Sequence, residues 1–347
     1  MSAQTQMYIA AADMLTPVGS DAKTSVAAVV AGISRYQVSN YYNKNMDAMT
    51  LALVPEDALP ALNKKIDSSF GITMRQKRLI QLATNPIIQI IESFPTLEKV
   101  ALFLAGPEAI PDCAAPLGND IFEKLNTQLE KDLFRPQSKV INTGRAGGIE
   151  VIDMAFKYLE QSGEHFVMVG GVDTYKDPYL LGTLDRDERV LARNIGDGFV
   201  PAEGAGFLLL VSDKIVHKLD NKPLAELYRP GLGKESGHRY STEAYQGEGL
   251  NTAFNMAIEN AQGRLVKSIY ASLNGENFGA KELAVASMRS APAVNADTQV
   301  HHPADCFGDI GAAFAPVMLA LAANQNEKAS LIYCSSENES RAAIYCA

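Results

Sequence analysis

A chain of 347 residues, 47% hydrophobic and 20% charged, has the composition of an ordinary globular protein with a large core or two domains sharing one. Lys and Arg number 31 against 40 Asp and Glu, and the net charge of −9 argues against nucleic acid or an anionic membrane as a partner. Cys113, Cys306, Cys334 and Cys346 form no C-x-x-C pair, no basic leader precedes Ala10, and the longest apolar run (310–323) is too short to span a bilayer, so a cytoplasmic protein with reduced thiols is expected.

The apolar run at 7–12 predicts a buried strand. Thr16-Pro17-Val18-Gly19-Ser20 makes a turn, and Ser20 or Asp21 is placed to cap a helix over 23–31 that Gly32 stops. A helix over 75–93, a strand over 100–104 and a two-faced helix over 120–132 follow. Val140-Ile141-Asn142 is strand-like, and the glycine-rich turn at 144–148 opens a helix to about Gln161. On that helix Ile149, Ile152, Ala155, Phe156 and Leu159 recur at helical spacing. The stretch 166–171 is continuously apolar, as in a strand covered on both faces, and a further strand is predicted over 207–211.

A repeat is visible. Gly147 opens a helix and the strand at Val167 follows 20 positions later; Gly311 opens a helix and the strand at Leu331 follows 20 positions later. Two copies are too few for a solenoid and point to a duplicated pair of domains. The polar stretch 214–223 is the expected boundary, giving halves 1–215 and 224–347.

The run D-G-F-V-P-A-E-G-A-G at 197–206 resembles the D-G-F-V-x-G-E-G-A-G signature of the beta-ketoacyl synthases, condensing enzymes of the thiolase superfamily. A strand, a T-P-x-G turn and a helix ending in A-G-x-S is also how those proteins begin. The resemblance covers most of the chain and is weakest over 40–135. It implies an α/β thiolase-like fold, two pseudo-twofold-related mixed five-stranded sheets with layered helices (αβαβα). It gives Asp197 and Glu203 a structural role, tying a loop under the site by hydrogen bonds.

The same resemblance locates the family's catalytic positions, and other residues occupy them. The nucleophile's T-A-C-x-S-G run matches Thr143-Gly144-Arg145-Ala146-Gly147-Gly148, with Arg145 in place of the Cys. A helix N-terminus stabilises a thiolate, whereas a guanidinium neither loses its proton nor becomes acylated there. The N-A-H-G-T run matches Asn274 to Phe278, with Glu276 for the first His and Phe278 for the pantetheine-contacting Thr. The G-H-x-x-G-A-A run matches 307–313, with Gly308 for the second His and Asp309 beside it; the family Lys falls on Pro303. The Gly-Phe-Gly-Gly gating loop is replaced by Ser335-Ser336-Glu337-Asn338-Glu339-Ser340.

Long side chains of opposite charge at 145 and 276 predict a buried Arg145–Glu276 ion pair, with Asp309 or Glu150 as the fallback partner of Arg145. Cys306 beside His301-His302 is the alternative nucleophile. His301, His302 and Asp305 fall short of a metal site, and the glycine-rich turn fits no phosphate-binding pattern, so no cofactor or metal is expected.

The expected function is that of a beta-ketoacyl-synthase-like pseudoenzyme without condensing activity, acting as a non-catalytic partner or adaptor. The alternative is an acyltransferase or acyl-thioester-binding protein using recruited residues such as Cys306 or Glu276. The resemblance implies a homodimer through the strand near 139–143, or a heterodimer with an active synthase, with an acyl carrier protein or a cargo protein as further partners.

Overall fold

Two sheets meet at β1 (Gln6–Leu15), the first strand of the chain. The computed structural model describes residues 6–289, 297–325 and 329–347. After β1 come α1 (Ala22–Val30), the hairpin β2 (Gln37–Tyr42) and β3 (Ala48–Leu51), α2 (Lys64–Asp67), α3 (Met74–Ser93), β4 (Leu102–Ala105), α4 (Ile121–Leu129) and β5 (Lys139–Ile141). Then follow α5 (Gly147–Ser162), β6 (Phe166–Thr174), α6 (Pro178–Arg186) and β7 (Glu203–Ser212). The second half holds β8 (Ala225–Tyr228), β9 (Gly231–Lys234), α7 (Glu248–Asn260), β10 (Ser268–Ala271), α8 (Asn277–Arg289), β11 (Gln299–His301), α9 (Ala304–Phe307), α10 (Phe314–Gln325), β12 (Ser330–Ser335) and β13 (Ser340–Cys346).

The halves repeat one strand order. In the first, β1 pairs antiparallel with β7 and β7 with β6, then β6, β4 and β5 run parallel. In the second, β8 and β9 share the place of β1, antiparallel to β13; β13 is antiparallel to β12, and β12, β10 and β11 run parallel. The two sheets that the resemblance implied are joined at β1. Gln6 to Ile9 of β1 also pair with Tyr228 to Ala225 of β8, which joins both into one 11-stranded sheet, β9 branching from β13, apart from the β2–β3 hairpin. β8 uses one edge for the end of β13, at Leu227 and Cys346, and the other for β1.

The continuous apolar strands are explained by burial on both faces. Val167, Val169, Leu208 and Leu210 pack inward with α5 and α10, while Met168, Phe207 and Leu209 pack outward against α3 and α4. Ile332 and Cys334 face the same inner layer, and Leu331 and Tyr333 face α7 and α8. The order is helix, sheet, helix, sheet, helix. Every residue of α10 from Phe314 to Ala323 is buried, because this helix lies between the sheets.

The first of the two helices starts at Gly147, as the sequence repeat suggests, whereas the second starts at Phe314, three residues after Gly311. Gly144 (φ +65°) and Gly311 (φ +52°) each open a one-turn 3-10 segment, Gly144–Ala146 and Gly311–Ala313, before α5 and α10 begin. Gly311, not a residue three positions on, is therefore the counterpart of Gly144, since both turns need the left-handed backbone that glycine supplies. Asp21 caps α1 in a reciprocal capping box with Thr24. The hairpin β2–β3 and helices α6, α7 and α8 carry no clear periodic signal and were not anticipated.

Candidate active site and its charge network

The 3-10 turn Gly144–Ala146 drives Arg145 into the centre of the molecule, where it is 6% exposed. Its partner is not Glu276. Arg145 Nε donates to Asp309 Oδ1 at 3.1 Å and Nη2 to Asp309 Oδ2, while Nη1 donates to Glu337 Oε1 at 2.9 Å. The fallback partner Asp309 is thus the one used. Glu150, on α5, instead accepts from Thr143 Oγ1 at 2.6 Å. Burial alone would lower the Arg145 guanidinium, but Asp309, then Tyr175 and Glu337, outweigh it and hold it well above the ordinary value.

Glu276 is taken by two other arginines. Arg189 Nε and Nη2 donate to Glu276 Oε1 and Oε2, both at 2.8 Å, and Arg239 Nη2 lies 3.0 Å from Oε2. Glu337 joins the groups: its Oε1 accepts from Arg145 and, at 3.0 Å, from Arg189 Nη2, and its Oε2 lies 2.9 Å from Arg239 Nε. Burial would raise the Glu337 carboxyl, yet Arg189, Arg145 and Arg239 hold it well below the usual carboxylate range. Three arginines and three carboxylates neutralise one another, as buried charges require. Asn274 Nδ2 ties the clusters, 3.0 Å from both Glu276 Oε2 and Asp309 Oδ2.

The signature run fastens this centre to the rest of the fold. Asp309 N donates to Val200 O at 2.9 Å, and Ala202 N donates to Asp309 O at 3.0 Å. Gly308 has φ +74°, and a Cβ there would lie 2.7 Å from Val200 O, so the backbone disfavours a side chain at this position. Glu203 is fully buried and accepts from Val54 N at 2.9 Å, Thr174 Oγ1 at 2.7 Å, Arg78 Nε at 3.0 Å and Arg78 Nη2 at 2.5 Å. Asp197, exposed, accepts from Asn277 N at 2.7 Å and so caps the start of α8.

Cys306 lies on the short helix α9, 8% exposed. Burial, then Asp305, pushes its thiol up, the opposite of what a nucleophile needs. His301 stacks on Tyr270 with ring centroids 4.9 Å apart. Among the described residues no group of three or more His, Cys, Asp or Glu is placed to hold a metal ion, and no helix is long and apolar enough to cross a membrane.

Two cavities flank the network. Each has a volume of about 30 Å³; one is lined by Glu108, Arg75, Tyr175, Leu184 and Phe199, the other by Ser272, Phe278, Glu282 and Tyr333. Arg145 and Glu337 line both, so their ion pair is the wall between them. A long acyl chain needs a continuous apolar tunnel, and this wall is charged.

No protein-family model matches the chain. Its backbone superposes on that of the ishigamide ketosynthase/chain length factor with a TM-score of 0.79 over 99% of both chains, at 13% identity. The fold is the thiolase-like fold of the ketosynthases. The ketosynthase domain OzmH KS7 of Streptomyces albus JA3453 matches this ketosynthase-like chain with a TM-score of 0.78 and 12% identity, over 98% of this chain and 74% of that one. The ketosynthase ApeO in complex with its chain length factor ApeC, from Xenorhabdus doucetiae, gives 0.76 and 14%, over 99% and 98%. A curated sequence relative, the polyketide synthase ThaQ of Burkholderia thailandensis, is 27% identical over 182 residues, 49% of this chain; the match spans 8% of that protein's length.

Of the site residues, the sequence pointed to Arg145, Glu276, Gly308 and Asp309 but not to Arg189 and Arg239. Both arginines sit on irregular segments with no motif around them. Glu337 was quoted only as part of a lost loop. Its signal was the burial of Arg145 itself, which demands more countercharge than one carboxylate with a second acid nearby.

Proposed function

We propose that this ketosynthase-like protein is a pseudoenzyme without condensing activity that serves as a non-catalytic partner or adaptor. The observation that carries the reading is the closed charge network. Arg145, at the position where the resemblance puts the nucleophile, is held by Asp309 and Glu337, and Glu276, at the first histidine position, is held by Arg189 and Arg239. Neither residue is left to attack a thioester or polarise its carbonyl. Gly308 leaves the second histidine position without any side chain.

The partner is a second copy of the chain or an active synthase, and two structural neighbours, the ishigamide ketosynthase/chain length factor and ApeO in complex with its chain length factor ApeC, support the second choice. A third neighbour is a ketosynthase in complex with its acyl carrier protein, which makes a carrier or a cargo protein a reasonable further partner. Cytoplasmic residence fits the four free cysteines.

The test is intact-mass spectrometry after incubation with acyl-CoA and acyl-carrier-protein thioesters, with Cys306→Ala as control. No adduct and no thioester turnover is expected. An adduct that disappears in the Cys306 variant would instead establish the acyltransferase alternative.

A further inference from the structure

Glu108 stands apart from the other carboxylates around the Arg145 cavity. Asp173, Asp309 and Glu337 each lie within ion-pair distance of an arginine. Among the described residues, Glu108 has no such partner. Both its oxygens accept instead from the turn between β12 and β13: Oε2 from Glu337 N at 3.0 Å, Oε1 from Asn338 N at 3.0 Å and from Asn338 Nδ2 at 2.6 Å. Two successive backbone N–H groups converging on one carboxylate are an anion-binding concavity. Asn338 Nδ2 also donates to Ala109 O at 2.9 Å, which fixes its direction.

The fit depends on Gly144. A Cβ on that residue would sit 2.1 Å from Glu108 Oε2, so the carboxylate rests on the bare Cα next to Arg145. A small cavity of about 30 Å³ lies beside it, lined by Arg75, Arg145 and Arg189. A cradle for an anion is therefore complete, and the chain's own side chain fills it. The occupant is held at a cost: burial, then the neighbouring Glu337, pushes the Glu108 carboxyl up to about 7, against the pull of the Asn338 and Glu337 N–H groups and of Arg145.

We infer that the Glu337–Asn338 turn, with Arg145 beside it, is a binding site for a small carboxylate, and that Glu108 is its built-in occupant. An external carboxylate enters this corner of the cavity only when Glu108 is displaced or removed. The site binds an anion irrespective of whether the protein has thioester chemistry, so its test is independent of the proposed function.

The experiment follows thermal unfolding of the full chain and of Glu108→Ala in potassium acetate or formate against potassium chloride at equal ionic strength. Acetate and formate are expected to raise the midpoint of the variant by about 2 °C or more over chloride, and to leave the wild-type midpoint unchanged. In the variant, amide hydrogen exchange at Glu337 and Asn338 slows in acetate. An equal response of variant and wild type, or no response in either, overturns the inference. If Glu108→Ala does not fold, Glu108→Ser takes its place. That variant also vacates both oxygen positions, so an effect of the same sign is expected, and parity with wild type is the overturning result.

Discussion

Arg189 grips Glu276 through two parallel hydrogen bonds, Nε to Oε1 and Nη2 to Oε2, each 2.8 Å long. That fork-on-carboxylate geometry is the strongest pairing an arginine makes, and it leaves Glu276 no orientation in which to serve Arg145. Arg145 has its own carboxylate in Asp309, whose backbone is anchored to the signature run at Val200 and Ala202. Two separate pairs joined through Glu337 thus replace the single pair expected from the sequence.

Removing one partner leaves the other buried and unpaired. Glu276→Ala is expected to lower stability by about 3–5 kcal/mol, read from urea unfolding. Arg189→Met should cost a similar amount, and the double variant less than the sum of the two by at least about 1 kcal/mol. Additive losses would mean that the two residues do not act as a pair.

Introducing the residues that the resemblance leads one to expect at 145 and 308 is predicted to confer no thioester chemistry. Arg145→Cys leaves Asp309 and Glu337 without a shared cation beside the new thiol, and nearby negative charge raises a thiol's pKa. No thioester turnover above wild type is expected in a steady-state assay of this variant. Gly308→His meets a steric limit, because φ is +74° and the new Cβ would lie 2.7 Å from Val200 O. The strained backbone alone costs about 1–3 kcal/mol, so a lower unfolding midpoint than wild type is the expected readout. A Gly308→His protein as stable as wild type would show that the backbone relaxes there.

Stability depends on pH through groups of opposite sign. Burial pushes Asp13 and Asp173 up to about 6 and Glu108 up to about 7. A raised folded-state value means that stability is fully present below the ordinary carboxylate range and is lost as pH rises through these values. Glu337 works the other way: its contribution is present above the ordinary range and is lost as pH falls through its lowered value. Glu108→Gln should therefore gain stability relative to wild type between about pH 5 and about pH 8, by about 1–3 kcal/mol. A relative stability that stays flat with pH would contradict the upward push of burial and Glu337 on this carboxyl.

A dimer through β5 meets a specific obstacle. β5 ends the sheet, but the N–H of Val140 on it already donates to Asn119 Oδ1 at 3.0 Å. Asn119→Ala frees that donor for a second strand. Light scattering over a concentration series is expected to show stronger self-association for the variant. An unchanged profile would place the interface elsewhere or exclude self-pairing by this edge.

Much of the frame was legible because local patterns carried it. The strand at β1, the capped α1, α3, the glycine turn into α5, and the apolar β6 and β7 were all placed from periodicity and turn chemistry. Less was legible where segments are short or irregular, as in the β2–β3 hairpin and α6, whose sequences lack a sustained period. The split of one strand into β8 and β9 at Arg229-Pro230 was also hidden, although Pro230 lacks the N–H a central ladder needs.

The sequence by itself determined that Arg145, Glu276 and Gly308 stand in the runs where the resemblance expects a nucleophile and two histidines, because residue identity at a motif needs no coordinates. It also determined that Arg145, once buried, must find countercharge. Only the tertiary structure decided which countercharge it finds. Asp309, Glu337, Arg189 and Arg239 come from segments up to 192 positions from Arg145, brought together by the packing of two sheets around α5 and α10. Charge pairing at such separations is set by where the backbone holds each side chain to within an ångström, and no local pattern encodes that distance.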